Sequence, residues 1–477
     1  MLVRQIVDHK LAQFAYLIGC PRTGEAIIID PERDVDRYFE VAAQHRLRLV
    51  AAADTHIHAD YLSGLPELAE RDLMIYASRE GGPDWQYEWL TGSRHRYRLL
   101  GHHDRFMVGN VEFMALHTPG HTPEHLSYLV RDAGSGVTDP IALASGDFVF
   151  VGDVGRPDLL ERAAGAIGVM EPAARTLYAS IQREFKTLPE FVQVWPGHGA
   201  GSACGKSLGD IPASTVGYEL RTNPSILAAS DESAFVRFIL SGQPEPPPYF
   251  ARMKRENRIG PRILRTIPTP PHLDGGELQS LINRQDVVVL DTRRSSAFVA
   301  GHLGRSILAD LDFQFCTIAG SYVEDDQPVY LIVEEERLQE AVLALVRIGV
   351  DRIEGYVTPA ALDAFRRAGG TLTRSEVVDF ETLEDRRIRG THRVLDVRSQ
   401  AEFDLGHVPD AIHIAHTRLL VNLVDLPRDR PIVVHCRTGA RAAAAVSLLE
   451  RHGYRVATVS DLFANYHTAT PSFKATA

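Results

Sequence analysis

The chain has little cysteine, with four in 477 residues. So few thiols, so far apart, cannot form the dense disulfide framework of a small secreted domain, and they favour a reducing compartment. We therefore expect free thiols and a cytoplasmic protein. The four are Cys20, Cys204, Cys316 and Cys436.

Long apolar runs and basic clusters are also missing. No run approaches the roughly 18 residues of a membrane helix, and Asp8, His9 and Lys10 interrupt the N-terminus where a signal peptide needs apolar residues. The formal net charge of -11 is spread along the chain, without a Lys- and Arg-rich patch with interleaved aromatics. We expect neither a membrane nor a nucleic acid as partner.

The length of 477 residues exceeds what one hydrophobic core usually supports, so several domains are expected. Short β-rich runs such as Phe14–Ile18 and Val111–Leu116 alternate with helical stretches, which indicates α/β layers. The proline cluster Ile267–Pro271 reads as a semi-rigid linker. The predicted domains span residues 1–265, 272–371 and 375–477.

The last two predicted domains contain a repeat. Val288–Arg293 followed by Gly301-His302 returns as Val394–Arg398 followed by Gly406-His407, with an offset of 105 residues. A second apolar run recurs as well, at 328–333 and 431–436, with an offset of 103 residues. Two α/β domains with parallel sheets, related by duplication, explain the pattern.

Three residues at the ends of apolar runs carry the main chemical signal: His56, His121 and Asp147. Two imidazoles and one carboxylate can hold a single Fe(II) and leave coordination positions open, as oxygen chemistry at iron requires. An isolated histidine near a strand end is usually capped or solvent-facing. Here several metal-competent groups follow four apolar runs, so we predict a metal site.

The four motifs together resemble those of the metallo-β-lactamase superfamily, and of its persulfide dioxygenase branch rather than its glyoxalase II branch. The resemblance covers about residues 1–260, and it implies an αββα sandwich. The motifs, with two further matches, are Thr55-His56-Ile57-His58-Ala59-Asp60, Pro119-Gly120-His121-Thr122, Gly146-Asp147, Pro196-Gly197-His198-Gly199, Gly155-Arg156-Pro157-Asp158 and Tyr249-Phe250-x-x-Met253-Lys254-x-x-Asn257.

In the binuclear hydrolases of the superfamily, a histidine after the motif's aspartate helps to hold a second metal. Tyr61 occupies that position here, which weakens the case for a two-zinc hydrolase. By resemblance, His56, His121 and Asp147 carry one Fe(II) in the domain.

Other residues of these motifs are expected to support the metal or the substrate. The resemblance places His58 and Asp60 behind the ligands, where they fix imidazole orientation, and His198 and Tyr61 near the substrate. Arg156 either contacts an anionic substrate or stabilises a loop. Cys204 is either an ordinary loop thiol or a sulfur relay near the metal.

The third predicted domain contains the loop Cys436-Arg437-Thr438-Gly439-Ala440-Arg441 between an apolar strand and a helical run. Backbone N–H groups, a helix N-terminus and the two arginines, Arg437 and Arg441, would stabilise a thiolate or persulfide there. The alternative is a buried structural cysteine, but two arginines are not expected around a cysteine that only packs in a hydrophobic core. We predict a reactive thiol.

The loop, with Asp396-x-Arg398 and Gly406-His407 upstream, resembles that of the rhodanese sulfurtransferases over about residues 375–477. Related phosphatases have a similar loop, but the upstream motifs and the neighbouring domain favour sulfur. We interpret Asp396 and Arg398 as a structural ion pair. Ser460–Asn465 departs from the Gly-rich, Trp-containing ending of the family.

The second predicted domain lacks this loop. Aligning Pro328 with Pro431 places Val333 opposite Cys436, and Glu334–Glu336 follow, whose carboxylates would repel a persulfide. We predict a catalytically silent rhodanese-like domain.

These resemblances imply a persulfide dioxygenase fused to a rhodanese. The expected substrates are O2 and a low-molecular-weight persulfide of the glutathione or coenzyme A type, with sulfite or thiosulfate as product, and a homo-oligomer is expected. Two alternatives stay open: a binuclear zinc thioester hydrolase like glyoxalase II, and a non-enzymatic sulfur carrier.

Overall fold

The computed structural model describes residues 1–162, 168–206 and 208–469. It divides the chain into two compact units, Met1–Thr266 with Arg347–Gly349, and Ile267–Val346 with Val350–Ala477. The division falls at Ile267, the first residue of the proline-rich segment. No helix in the described ranges has the length and apolar character needed to cross a membrane.

The first unit contains two six-stranded sheets, ordered β1-β2-β3-β4-β5-β6 and β12-β11-β10-β9-β8-β7. In the first sheet β1 to β3 are antiparallel and β3 to β6 parallel. In the second, β10 and β11 pair in parallel and the other pairs are antiparallel. The strands are β1 Leu2–Asp8, β2 Gln13–Cys20, β3 Glu25–Ile29, β4 Arg48–Ala53, β5 Met74–Ser78, β6 Tyr97–Leu100, β7 Arg105–Val108, β8 Val111–His117, β9 Leu126–Asp132, β10 Ala142–Gly146, β11 Gln193–Pro196 and β12 Ser214–Thr215.

Eight helices accompany these sheets in the described part of the unit. Helix α4 continues directly into a short π-helix, Ile181–Phe185. The helices are α1 Asp36–Gln44, α2 Leu65–Ala69, α3 Leu159–Arg162, α4 Met170–Ser180, α5 Val216–Thr222, α6 Pro224–Ala228, α7 Glu232–Leu240 and α8 Tyr249–Ile259.

Three hydrophobic cores show how these elements are layered. Alternate residues of β2 point to opposite faces, as a strand requires: Tyr16 joins the core between the two sheets, and Leu17 joins the core that also contains Tyr38 of α1. A third core packs Leu177 of α4 and Phe235 of α7 against the other sheet. Helix, sheet, sheet and helix therefore stack in four layers, and the expected αββα sandwich is confirmed.

The second unit contains two all-parallel sheets, ordered β14-β13-β15-β16 and β17-β21-β20-β18-β19. The apolar runs of the repeat form β15 and β20, next to β13 and β18 respectively. The predicted parallel sheets are confirmed. The elements are α9 Gly275–Asn283, β13 Val288–Asp291, α10 Ser295–Ala300, β14 Ile307–Leu308, α11 Phe315–Tyr322, β15 Val329–Ile332, α12 Leu338–Arg347, β16 Ile353–Val357, α13 Pro359–Arg367, β17 Glu376–Val378, α14 Phe380–Ile388, β18 Arg393–Asp396, α15 Gln400–Asp404, β19 Ile412–His413, β20 Ile432–His435, α16 Ala440–Arg451, β21 Val456–Val459 and α17 Phe463–Ala469.

The repeat extends to individual contacts. Arg398 Nη2 donates to Asp396 Oδ2 at 2.6 Å and to the Gly406 carbonyl at 2.7 Å. In the other copy, Arg293 Nη2 donates to Asp291 Oδ2 at 2.6 Å and to the Gly301 carbonyl at 2.9 Å. Because the pair also occurs in the copy that lacks the cysteine loop, it belongs to the fold rather than to the chemistry.

A ring contact is duplicated as well. The Phe403 and His407 rings stack with centroids 3.8 Å apart, and those of Phe298 and His302 with centroids 3.9 Å apart. In both copies the histidine Nδ1 lies 3.0 Å from the phenylalanine carbonyl oxygen. The glycine-histidine motif therefore ends the helix before it rather than serving a catalytic site.

We expect Asp396→Ala to loosen the second sheet of this unit strongly. Arg398 is 5% exposed, and removing one partner of a buried ion pair costs about 3–5 kcal/mol. Hydrogen exchange of the backbone amides of β18 and β20 measures the loss.

The matched control is Asp291→Ala. It should raise exchange in β13 and β15 by less, because Arg293 is 17% exposed, and it should leave β18 unchanged. Unaltered exchange in Asp396→Ala would contradict the assignment of this pair to the fold.

Candidate metal site and cysteine loop

The structure brings His56, His121 and Asp147 together. One ligand atom from each lies within 4.8 Å of the others. Nε2 of His121 is 3.5 Å and Nε2 of His56 is 3.9 Å from Asp147 Oδ2, and all three residues are buried. Three donors of the predicted kind converge on one point.

The three donors follow three strand ends. His56 lies just beyond β4, His121 beyond β8 and Asp147 directly after β10. The turn before Asp147 requires glycine, because Gly146 has φ +52° and a Cβ there would lie 2.4 Å from Thr55 Oγ1. The predicted motifs thus meet at one edge of the two sheets.

Thr55 fixes the orientation of the His56 ring. Its hydroxyl donates to Asp30 Oδ2 at 3.0 Å and lies 3.0 Å from His56 Nδ1, while its backbone N–H donates to Asp30 Oδ1 at 2.6 Å. With its proton given to Asp30, the hydroxyl accepts from Nδ1–H, which leaves the Nε2 lone pair free for a cation. Sequence reasoning gave neither Thr55 nor Asp30 a role, although Thr55 directly precedes His56.

Burial sets the charges of the site. It lowers the pKa of His56 and of His121 well below the ordinary value, so both rings are neutral and have lone pairs to offer. It raises the pKa of Asp147 to about 6. Within the described residues, His121 Nε2 and both Asp147 carboxylate oxygens have no hydrogen-bond partner. A divalent cation would satisfy all of these atoms at once, so the residues fit a metal.

A second group of donors adjoins the first. Asp60, His198 and Cys204 also offer ligand atoms within 4.8 Å of one another, and all three are buried. His198 Nε2 lies 3.4 Å from Asp60 Oδ2 and 3.5 Å from Asp147 Oδ1. Cys204 therefore lies beside the predicted metal centre, as one of its two predicted roles requires. Burial, with the charges of Asp60 and Asp147, raises the pKa of the Cys204 thiol.

His58 and Tyr61 lie next to the first group, with the ring centroids of His58 and His56 4.2 Å apart. His58 Nε2 is 3.2 Å from Asp30 Oδ1; although burial opposes the charge, Asp30 and Asp54 raise the pKa of His58 to about 9. The Tyr61 ring stacks on His58, and its hydroxyl lies 3.1 Å from Nε2 and 3.2 Å from Gln13 Nε2. In the structure Tyr61 packs on His58, and its predicted place near the substrate stays a prediction.

Arg156 is committed to partners within the protein. Its Nε and Nη2 donate to the Asp158 carboxylate at 3.0 and 2.7 Å, and its other bonds go to the Ala203 and Pro244 carbonyls at 2.9 and 2.6 Å. The side chain is completely buried. These contacts agree with the second of its two predicted roles, that of a loop anchor.

Helix α8 is tied to the metal-motif loop through Asn257. Its Nδ2 donates to the His58 and Tyr61 carbonyls, each at 2.8 Å, and its Oδ1 accepts from Ser63 N–H at 2.8 Å. This explains the spacing of the Tyr249 to Asn257 motif, which holds the helix beside the site.

The cysteine loop follows β20, as predicted. Cys436 is 1% exposed, and its Sγ accepts from Gly439 N–H at 3.1 Å. Gly439 caps α16 with φ +94°, a conformation that favours glycine. The sulfur thus lies at a helix N-terminus, where backbone N–H groups favour negative charge.

The two arginines of the loop differ. Arg441 makes two 2.7 Å bonds to the Glu402 carboxylate; although burial opposes it, Arg441 lowers the pKa of Glu402 to about 2. Arg437 is exposed. Sequence reasoning missed Glu402, which shares the charge of Arg441 with the thiol, so the loop is less cationic than expected.

The corresponding position of the other parallel sheet carries no thiol. Val333 is buried after β15, and Glu334–Glu336 follow it on the surface. Cys316 is buried in α11, with Sγ 3.7 Å from the Ala344 carbonyl oxygen. These contacts agree with a domain that lacks the sulfur chemistry.

Comparison with known families covers both ends of the chain. Residues 10–198 match the metallo-beta-lactamase superfamily, and residues 379–467 match the rhodanese-like domain. The chain is 26% identical to the persulfide dioxygenase ETHE1 of Mus musculus, over 49% of this chain and 78% of that protein. It is 30% identical to a probable metallo-hydrolase of Burkholderia pseudomallei, over 50% and 84%.

Among solved structures, a metallo-beta-lactamase of Staphylococcus aureus is 39% identical, with a TM-score of 0.66 over 75% of this chain and 98% of that one. The chain belongs to the metallo-β-lactamase superfamily. Its N-terminal domain has persulfide dioxygenases among its homologues, and a rhodanese-like domain is fused to it at the C-terminal end. The resemblances inferred from the motifs are confirmed.

We expect Thr55→Val to weaken metal binding about ten- to hundredfold, because an outer partner that fixes an imidazole typically contributes that much. Metal retained by the full chain during dialysis against graded chelator, read by elemental analysis, measures it. Thr176→Val, which removes an exposed hydroxyl bonded to the Pro172 carbonyl, is the control. Equal retention in both variants would contradict the assigned role.

Proposed function

We propose that this protein is a persulfide dioxygenase and sulfurtransferase. The N-terminal domain, with one Fe(II) bound, would use O2 to oxidise the terminal sulfur of a low-molecular-weight persulfide to sulfite, and Cys436 transfers sulfane sulfur. The observation that supports it best is the buried trio of His56, His121 and Asp147, in a chain that also contains a helix-capped rhodanese cysteine. A homo-oligomer stays an expectation.

The reaction at the first site balances as persulfide, O2 and water giving thiol and sulfite. Bound iron would supply coordination positions for both reactants, which brings them into register. The protein's residues hold the donors: Thr55 and Asp30 fix the His56 ring, and His125 Nε2 accepts from the Asp147 N–H at 3.1 Å. Because the trio is buried, bulk water is largely kept from the reacting atoms.

The second reaction is sulfur exchange at Cys436. The thiolate attacks a sulfane sulfur, the donor leaves as its thiolate or as sulfite, and Cys436 becomes a persulfide. Attack by sulfite on that outer sulfur releases thiosulfate and regenerates the thiolate. The Gly439 N–H and the N-terminus of α16 stabilise the anionic sulfur in both forms.

We expect His121→Ala to lose bound iron and to abolish oxygen uptake with a persulfide, because the trio keeps only two ligands. An oxygen electrode and iron analysis measure the two effects. The control is His117→Ala, whose ring instead lies 2.8 Å from the Pro123 carbonyl oxygen and whose loss should leave both near wild type. Sustained uptake by iron-free His121→Ala would refute the dioxygenase.

We expect Cys436→Ser to abolish sulfur transfer between thiosulfate and a thiol and to leave oxygen uptake unchanged, since the hydroxyl is too weak a nucleophile to carry sulfur. Sulfide release with a thiol as acceptor, or thiocyanate formation with cyanide as acceptor, measures transfer. Cys316→Ser is the matched control and should retain transfer. If Cys436→Ser also stopped oxygen uptake with a free persulfide, the division into two sites would be wrong; residual transfer would point to the other rhodanese-like domain.

The group of Asp60, His198 and Cys204 favours one rival. A second cation held there would give a two-metal centre and a bridging hydroxide, the equipment of a zinc thioester hydrolase. Elemental analysis separates the two functions. Two zinc ions for each chain with no oxygen uptake would favour the hydrolase, and one iron with uptake would favour the dioxygenase.

A further inference from the structure

The segment Ser460–Asn465, which departs from the ending common in rhodanese-like domains, contains the start of α17 at Phe463. Asp461 Oδ1 accepts from the Leu462 N–H at 2.7 Å and from Asn465 Nδ2 at 2.6 Å. These bonds set the start of the helix. Phe463 itself is buried, and it lies against the cysteine loop.

Phe463 is bonded to that loop through its backbone. Its N–H donates to the Arg437 carbonyl at 2.9 Å. The chain just before it also lies close to the loop, since a Cβ on Gly439 would be only 3.3 Å from Ser460 Cα. Gly439 is the residue whose N–H bonds the Cys436 sulfur. The segment therefore supports the loop at two positions after the cysteine.

The Phe463 side chain packs against the residue before the cysteine. Its ring is nearly parallel to that of His435, with centroids 5.5 Å apart and 7° between the planes. Among the described residues, neither His435 ring nitrogen has a hydrogen-bond partner, and Nε2 is 3.6 Å from Asp396 Oδ2. Burial lowers the pKa of His435 to about 4, so the ring is neutral at physiological pH. Its orientation therefore depends on its contacts with Phe463 and Phe380.

The same phenylalanine ring contacts the scaffold. Arg398, the partner of Asp396, places Cζ 3.8 Å from the Phe463 ring centroid, a distance at which a guanidinium and a ring attract each other. Phe463 thus connects a buried ion pair of the fold to the residues directly before and after Cys436.

Neither ring of the stack is present in the copy without the cysteine. The strands before the loop are offset by 103 residues, which places Ile332 opposite His435. The last strands, β16 and β21, are offset by 102 residues, which places Ala361 opposite Phe463. The stack therefore accompanies the cysteine rather than the fold.

Charged and titratable groups also lie around the thiol, and all of them stay in place when only Phe463 is changed. Burial lowers the pKa of one of them, His416, to about 3, so it is neutral. A changed reactivity of the sulfur in a Phe463 variant therefore reports the geometry of the loop. The groups are Arg441, which bonds the Cys436 side chain, Glu402, which pairs with Arg441, the exposed Arg437, and His416, which lies within range of the charges of Arg441 and Glu402.

We propose that Phe463 is a positioning residue for Cys436. By holding the residues before and after the cysteine, it keeps the sulfur within reach of the Gly439 N–H, which stabilises the anion that attacks sulfane sulfur. The inference rests on the proposed sulfur transfer and adds the side chain that prepares the thiol for it. Without the ring the loop relaxes, and the sulfur loses part of this bond.

The test compares two phenylalanines of equal burial. Phe463→Leu removes the ring beside the cysteine, and Phe365→Leu makes the same change in α13 of the other copy; both residues are 8% exposed. Alkylation of Cys436 by iodoacetamide is followed in the full chain as a function of pH, by mass spectrometry of the peptide that contains it. We expect Phe463→Leu to move the midpoint of the alkylation rate to higher pH by about one unit, as a weakened hydrogen bond to an anion implies. Phe365→Leu should keep the wild-type midpoint.

Sulfur transfer from thiosulfate to cyanide, which gives sulfite and thiocyanate, measures the consequence. At neutral pH, kcat/KM of Phe463→Leu should fall about three- to tenfold, because a smaller thiolate fraction is only partly offset by a more nucleophilic sulfur. Phe463→Tyr keeps the ring and should retain both the midpoint and the rate. An unchanged midpoint in Phe463→Leu, or an equal shift in both leucine variants, would overturn the proposal.

A second variant removes the stack from the other side. His435→Ile introduces the residue type that the other copy has at this position and should move the midpoint in the same direction as Phe463→Leu. It keeps the proposal testable if Phe463→Leu does not fold. A wild-type midpoint in His435→Ile would count against the stack as the positioning contact.

Alkylation needs no turnover, so it separates this inference from the proposed function. A higher midpoint in Phe463→Leu, in a protein whose wild type transfers no sulfur, would refute the sulfurtransferase alone. Sulfur transfer by the wild type together with an unchanged midpoint in Phe463→Leu would refute the positioning role alone.

Discussion

The N-terminal domain depends on one constraint: side chains suited to a metal ion are removed from water at the point where three strands end. Burial makes the imidazoles of His56 and His121 neutral and disfavours the charge of Asp147. Unpaired polar atoms in such a place are costly, and a cation is the one partner that suits two lone pairs and a carboxylate together. Thr55 and Gly146 make sense in this light, since one orients a ring and the other lets two loops approach closely.

The C-terminal unit separates scaffold from chemistry by showing the same scaffold twice. The ion pair of Asp396 and Arg398 recurs as that of Asp291 and Arg293. In both copies the arginine also donates to a glycine carbonyl, so the pair stabilises the backbone that follows the strand. Only the copy with Cys436 has the helix-capping loop that stabilises an anionic sulfur. Within this chain, then, the proposed sulfur transfer would depend on the loop after one strand rather than on the fold around it.

Much of the fold and of the candidate sites was predictable, because the sequence motifs that indicate them are short and local. His56, His121, Asp147 and Cys436 each lie in a short motif after an apolar run, and a repeat with an offset close to 105 residues is visible in the sequence. Contacts between distant segments were not predictable. Asp30 reaches His56 only through Thr55, and nothing in the sequence around Arg156 shows that two carbonyls and Asp158 hold its guanidinium.

The protonation state of Cys204 depends on the number of metal ions that the N-terminal domain binds. Burial and two carboxylates keep this thiol protonated as long as nothing offsets their charge. A second cation among Asp60, His198 and Cys204 would reverse that, because a coordinating thiol is deprotonated. With a single cation at the first trio, Cys204 would stay a neutral thiol beside that site. The same three donors therefore complete a hydrolase centre in one case and form part of the wall of an oxidation site in the other.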